Sequence, residues 1–441
     1  MFSVNHQRPF ARRSIDRLGA HTQRGYGITK HGFLLLACSL GLLMLLLGGC
    51  AQTATEVPHA TYMFWPPAPD APHMQYLTSF SSSADVTGQQ SKLDEMIYGK
   101  QTMAGLMFQR PYGVRMVNGR IYVCDPGMSC VTVLDLPAKQ VQVVGRTGPV
   151  TLAKPIDIAV APDGLQYVAD TGLGAVVAFD AKEQYAGKIT YPKMRPVSLA
   201  IHKNELYVSD IYGSCVRVFD RISGKELRTI GEPGNKPGQL GGAMGVAVDN
   251  DGNVYINDVV GCRVQKFSHD GKFLSMVGGL GDRPGNFVRP KEMAVDSSGI
   301  LYVVDNAFDN VQMFNDKGQM LMFFGGAGTH PGALDMPAGI CVSDTGLDLF
   351  AKYVNPAFDA QRLVIVTNEL GMHKVSVFAL GELKPGKTLA DISPGRVNKV
   401  VGFASKADSR GGLEAVPAGQ NATQPATQPA SQPATGPKKA P

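Results

Sequence analysis

The chain has 441 residues, with 42 Lys+Arg against 37 Asp+Glu. Residues 1–49 hold six of the basic and one of the acidic residues, so the remainder carries 36 of each and is formally neutral. That balance argues against a nucleic-acid partner, which requires a basic face to neutralise phosphates.

Residues 1–32 are polar and basic, with Arg8, Arg12, Arg13, Arg17, Arg24 and Lys30, and are followed by the apolar run GFLLLACSLGLLMLLLGGC. A basic segment, an apolar segment and small residues before the cut describe a secretory signal. Cys50 directly after Leu47-Gly48-Gly49 resembles a lipobox, which implies that Cys50 is diacylated and becomes the mature amino terminus. The competing reading is an uncleaved anchor, since the run approaches the ~20 residues needed to span a bilayer. The basic segment is long enough for the true start to lie further in. Gln52 stands where an Asp would retain a lipoprotein in the inner membrane, so in a two-membrane bacterium the outer membrane is the expected destination.

Residues 50–73 read as a Pro-rich tether, stiffened by polyproline-like geometry. Its Trp65, the single Trp of the chain, is read as an aromatic that anchors the linker, with docking on the domain or on a partner as the alternative. MQYLTSF (residues 74–80) is an isolated strand pattern, and residues 81–110 are an insertion with a short helix predicted over 93–98, lying across one face of the domain.

From Pro111 the chain repeats. Apolar openers begin at Pro111, Pro155, Pro196, Ala243, Pro290 and Pro337, at spacings of 44, 41, 47, 47 and 47 residues. Five second strands end at Asp125, Asp170, Asp210, Asp258 and Asp305, and third strands end nine residues later at Leu134, Phe179, Phe219, Phe267 and Phe314. Turns such as DNDGN and DKG separate the strands and use the backbone tolerance of Gly, Asp and Asn. In the sixth unit an insert over 344–362 precedes LVIVTN, Asn368 replaces the Asp, and the third strand closes on Phe378. Four strands per unit at this period predict an all-β, six-bladed β-propeller with four-stranded blades. ALGELKPGK after Phe378 makes a poor fourth strand, whereas residues 74–80 match the pattern of KFLSMV at Lys272, so the N-terminal strand is predicted to complete the last blade and remove a free edge.

The opener seen as PAGICV and AMGVAV, the Tyr-rich strand ending in Asp, RVQKF at Arg263 and the turns PGQL, PGNF and PGAL at Pro237, Pro284 and Pro331 resemble the NHL repeat. The resemblance covers Met74 to about Leu383 and implies an NHL-like propeller. It does not imply one function, since the family includes RNA readers, sensor ectodomains and lyases. Residues 74–403 are therefore assigned to the propeller and 404–441, a Pro/Ala/Gln/Thr-rich repeat, to a disordered tail.

No catalytic or metal signature stands out. The strand-ending aspartates recur in five units, which suits backbone N–H acceptance better than catalysis. The histidines after the tether (His202, His269, His330, His373) sit at different repeat positions, unlike the histidine-bound metal of amidating lyases in the family. Cys124 and Cys130 flank one turn, which leaves a hairpin disulfide open. The informative residues break the repeat: Arg115 replaces a small residue four after the opener, and Asp157, Ser198 and Glu292 intrude where Gly113, Gly245 and Gly339 stand elsewhere. Two readings stand for this cluster, a structural plug and a ligand site at a channel mouth. The turns after the five aspartates are expected to form the recognition face, with Tyr212 and Phe308 as exposed aromatics. The expectation is a lipid-tethered, non-catalytic module outside the cytoplasm that binds a protein or a small ligand, with no cofactor. The alternative is a metal-dependent lyase or lactonase acting in the channel.

Overall fold

The computed structural model describes residues 62–88 and 107–392. The predicted signal, Cys50, the helix over 93–98 and the tail over 404–441 lie outside them. Alternating apolar positions and turn chemistry give six antiparallel sheets in chain order, as the repeat predicts. Their innermost strands are Val114–Val117, Pro155–Val160, Pro196–His202, Ala243–Val248, Pro290–Val295 and Pro337–Ser343. Each contacts the innermost strands of the blades on either side, and the last meets the first, so the ring is closed. In blades four and five, Gly252 and Gly299 reverse the chain at φ +84° and +86°, a region that side chains with a Cβ adopt at a cost.

Blade six carries the clasp. Met74–Phe80 pairs antiparallel with Val375–Leu383, that strand with Phe358–Asn368, and Phe358–Asn368 in turn with the innermost strand. ALGEL is not a failed fourth strand but the continuation of the third. The sheet also gains a fifth strand, Met63–Trp65, inside the stretch read as tether. Trp65 is buried edge-to-face against Phe378 at 5.7 Å, and Phe324 of blade five meets the same ring at 4.9 Å. The insert forms a 3-10 helix over Leu347–Tyr353. Ala84–Thr87 is a single helical turn. Among the described residues no helix is long and apolar enough to cross a membrane.

The strand-ending aspartates act as clamps on backbone N–H groups, in the following turn and also in the connection that leads into their own blade. Asp125 accepts from the N–H of Gln109, Arg110, Gly127 and Met128, and Asp305 from those of Val288, Arg289 and Ala307. Asp170, Asp210 and Asp258 hold the equivalent connections. At the opposite end of the second strands, tyrosine hydroxyls close polar stitches, several of them between neighbouring blades. Tyr302 donates to Asp296, which also takes Arg362 of blade six, and Tyr207 and Arg228 share Glu205 with His269 of blade four. These hydroxyl roles are invisible in the repeat pattern, which shows only that Tyr recurs.

The five described cysteines are all free and buried. Cys124 pairs in the ladder with Val131, and Cys130 with Asp125. The two cysteines therefore project from opposite faces of the sheet and cannot bridge.

Candidate functional site

The inner strands present unpaired backbone edges to the axis, and three successive rings of side chains deal with them. Counting the opener as the first position, the second holds Tyr112, Ile156, Val197, Met244 and Ala338, which form one apolar cluster drawn from five blades; Lys291 takes this position in blade five. The third position holds Gly113, Asp157, Ser198, Gly245, Glu292 and Gly339. The fifth holds Arg115 with Ala159, Ala200, Ala247, Ala294 and Cys341.

The third ring is tight. A Cβ at Gly113 would lie 2.4 Å from Asp157 Oδ1, and one at Gly339 would lie 2.1 Å from the Tyr112 carbonyl oxygen. Glycine is required at both, because adjacent inner strands touch through their backbones there; the Gly113 N–H donates directly to the Ile156 carbonyl at 2.8 Å.

The structure brings Arg115, Asp157, Ser198 and Glu292 together, buried beneath the second ring rather than open at a mouth. Asp157, Ser198 and Glu292 are at most 1% exposed. Arg115 donates to the carbonyls of Val114, Ile340 and Leu199 and to Asp157 Oδ2 at 3.3 Å. Asp157 Oδ2 also accepts the Leu199 N–H at 2.9 Å. Ser198 Oγ lies 3.3 Å from Asp157 and 3.1 Å from Glu292, and accepts the Val246 N–H. The cluster thus bonds to the inner strands of all six blades, reaching blade six through the Ile340 carbonyl, and satisfies strand edges there. Asp157 Oδ1 and Glu292 Oε1 are buried with no partner among the described residues.

Burial sets the protonation of this layer. Desolvation pushes Glu292 well above the ordinary carboxylate range, and the neighbouring Asp157 charge pushes it further. Asp157 is raised by desolvation too, against the pull of Arg115 and its N–H donors. The consistent assignment is an Arg115–Asp157 ion pair beside a neutral Glu292. Cys341, in the fifth ring, is driven up to about 12, chiefly by burial, so its thiol is inert.

Beyond Arg115 the channel widens, because four alanines and a cysteine occupy the fifth ring. The resulting cavity of about 230 Å³ opens away from the second ring; Arg115 is at its base, and Val160, Ile201, Val248, Val295 and Val342 line it. Among the described residues no cluster of three or more His, Cys, Asp or Glu could hold a metal ion.

The turns that follow the second strands form the other face of the ring. Tyr212 is 61% exposed there, whereas Phe308 is half-buried. Sequence reasoning overlooked Lys291 and Tyr112. The signal was present: Lys291 is the one charge in an otherwise apolar second position. Its ammonium lies 5.4 Å from the Tyr112 ring centroid and 3.9 Å from Glu369.

No family model matches the chain, and no curated protein sequence does. Among solved structures the chain is similar to virginiamycin B lyase from Staphylococcus aureus, at 12% identity over 62% of this chain and 95% of that one, with a TM-score of 0.45. It is similar also to a gluconolactonase from Xanthomonas campestris (15% identity, 62% and 86% covered, TM-score 0.46). A third is a Bacteroides thetaiotaomicron protein of unknown function (16%, 70% and 76%, TM-score 0.49). Similarity at this level carries no activity over to the chain. The class, a six-bladed β-propeller, rests on its own sheets.

Proposed function

We propose that the chain is a membrane-tethered lipoprotein outside the cytoplasm, with an NHL-like propeller that binds a protein partner without catalysing a reaction. The leader pattern ending in Leu47-Gly48-Gly49-Cys50 supports acylation of Cys50, and Gln52 supports the outer membrane. Tethering through the residues before Tyr62 then holds the ring at the bilayer surface.

The observation that carries the binding role is the uneven distribution of exposed apolar surface. Thirteen large apolar side chains are exposed among the described residues. Seven of them (Leu173, Tyr212, Val260, Leu280, Val288, Leu370 and Met372) belong to turns and connections on the face that follows the second strands. The opposite face has Ile222, and the other five are in outermost strands. An apolar concentration of this kind, on turns that leave the blades' own packing untouched, supports protein recognition. The axial cluster is assigned to the structural plug, because its donors and acceptors hold inner strands together.

Two measurements test the reading. Intact mass of the mature chain should show cleavage before Cys50 and an acyl adduct there, lost in Cys50→Ala. Site-directed photocrosslinking in the envelope should trap a partner from positions 212 and 260 and not from position 222. A leader-retaining chain overturns the tether; equal trapping from both faces overturns the recognition surface.

A further inference from the structure

In five blades the residue immediately before the opener is fixed by the aspartate clamp. The N–H groups of Arg110, Lys154, Arg195 and Arg289 donate to Asp125, Asp170, Asp210 and Asp305. This anchors four backbones at equivalent points around the axis and leaves their side chains outside. All four are basic and exposed, and Gly242 and Met336 complete the ring. The clamp carboxylates beneath are occupied by backbone N–H groups, so the charge that a ligand meets at this mouth is mainly cationic, with Asp335 on the blade-six connection as an exposed anion.

The collar is only partly neutralised. Arg110 lies 2.5 Å from Glu369, and Arg289 donates to Asn306 at 3.2 Å, while Lys154 and Arg195 have no side-chain partner among the described residues. Inside the collar Lys291 is 17% exposed and shares Glu369 with Arg110. Its ammonium is destabilised chiefly by burial and also by the neighbouring Arg289 and Arg110, against the pull of Glu369. The floor around it is the apolar ring of Tyr112, Ile156, Val197 and Met244, and the surrounding turns offer Leu173, Tyr212, Val260 and Met372.

We propose that this mouth receives an acidic peptide segment of the partner, its carboxylates on the cationic collar and its large apolar side chains on the floor and the turn tips. The inference rests on the reading that this face recognises a protein. Three features select the occupant. A second copy would bring two cationic collars face to face, which like charge opposes. A bilayer resting on the turn tips cannot reach Lys291 inside the mouth, whereas a protruding carboxylate can. Among the described residues the exposed turn tips are mainly aliphatic, with Tyr212 the one exposed aromatic, which makes a poor stacking platform for a nucleic acid strand.

The test uses the purified full-length chain in detergent and a fluorescein-labelled synthetic peptide of about fifteen residues, in which Asp and Glu are interspersed with Leu and Phe. Anisotropy should report binding that weakens with added salt. A matched peptide with Lys in place of the acids should bind at least about tenfold more weakly, and the combined Lys154→Gln, Arg195→Gln, Arg289→Gln variant should lose a similar factor at unchanged melting temperature. Tyr212→Ser should weaken binding without altering the salt dependence. Equal binding of the two peptides overturns the proposal, as does a triple variant that binds normally, or a labelled oligo-dT bound more tightly than the peptide. If no acidic peptide binds while positions 212 and 260 still crosslink in the envelope, the peptide chemistry is wrong and the recognition face stands.

Discussion

Arg115 has four acceptors and is only 20% exposed, toward the cavity, which makes it a strand-edge satisfier that also carries a charge. Removing it strands Asp157 as a buried anion and leaves three carbonyls without a donor, so Arg115→Ala should cost about 3–5 kcal/mol, read as a fall in calorimetric melting temperature. An unchanged melting temperature would return the cluster to the ligand-site reading. Glu292 and Glu205 make opposite predictions with pH. Glu292 holds its proton in the fold, so its contribution is complete below the unfolded carboxylate value of about 4.3 and is lost as pH rises through its raised folded value. Glu292→Gln, which is neutral at every pH, should flatten the alkaline decline of a melting-temperature profile. Glu205 is held at about 2, first by its Arg228 hydrogen bonds. Its contribution is present above about 4.3 and is lost as pH falls through the folded value. With its side chain 20% exposed, screening limits that contribution, and Glu205→Gln should cost about 1 kcal/mol at neutral pH and almost nothing near pH 2.

At the scale of elements, the clamp at the end of the second strand is what repeats. Asp305 takes three backbone N–H groups, and Asp305→Ala should lose about 2–4 kcal/mol in urea unfolding by leaving them without an acceptor. Asp305→Asn should cost less, because the amide oxygen still accepts; Asn368 performs this role in blade six, accepting the Asp335 N–H while donating to the His373 carbonyl. Equal losses for the two variants would refute the clamp. The constant interval from Asp to Phe made the blades legible from sequence, because hairpin length fixes register and register fixes which side chains face the core. The strand Met63–Trp65 was hidden among prolines, since a three-residue strand has no period to detect. The channel cluster was legible as a departure from repeat, but not its depth. Burial of Asp157 and Glu292 depends on Tyr112, Val197 and Met244 converging from other blades, and nothing local to the acidic residues encodes that.

For the whole molecule, closure joins residues far apart in the chain: Gln75, near the start of the clasp strand, bonds Tyr353 and, 280 positions away, Asn355, and Trp65, Met74 and Phe378 share one core with Tyr302 and Phe324 of blade five. Loop-closure entropy grows only with the logarithm of length, so this long connection costs little more than a shorter one. Without it the ring becomes an open arc whose last blade ends in an unpaired edge, and an arc of nearest-neighbour sheets can unfold blade by blade. Trp65→Ala should therefore do more than remove about 3–5 kcal/mol of buried aromatic packing. It should also split or broaden the calorimetric transition, with hydrogen exchange in Phe358–Asn368 and Val375–Leu383 accelerating ahead of the other blades. Phe219→Ala, an equally buried aromatic in blade three, supplies the control: it should lower stability by a similar amount while the single transition survives. If both variants keep one sharp transition and uniform exchange, the clasp contributes packing alone and the cooperativity of the ring has another origin.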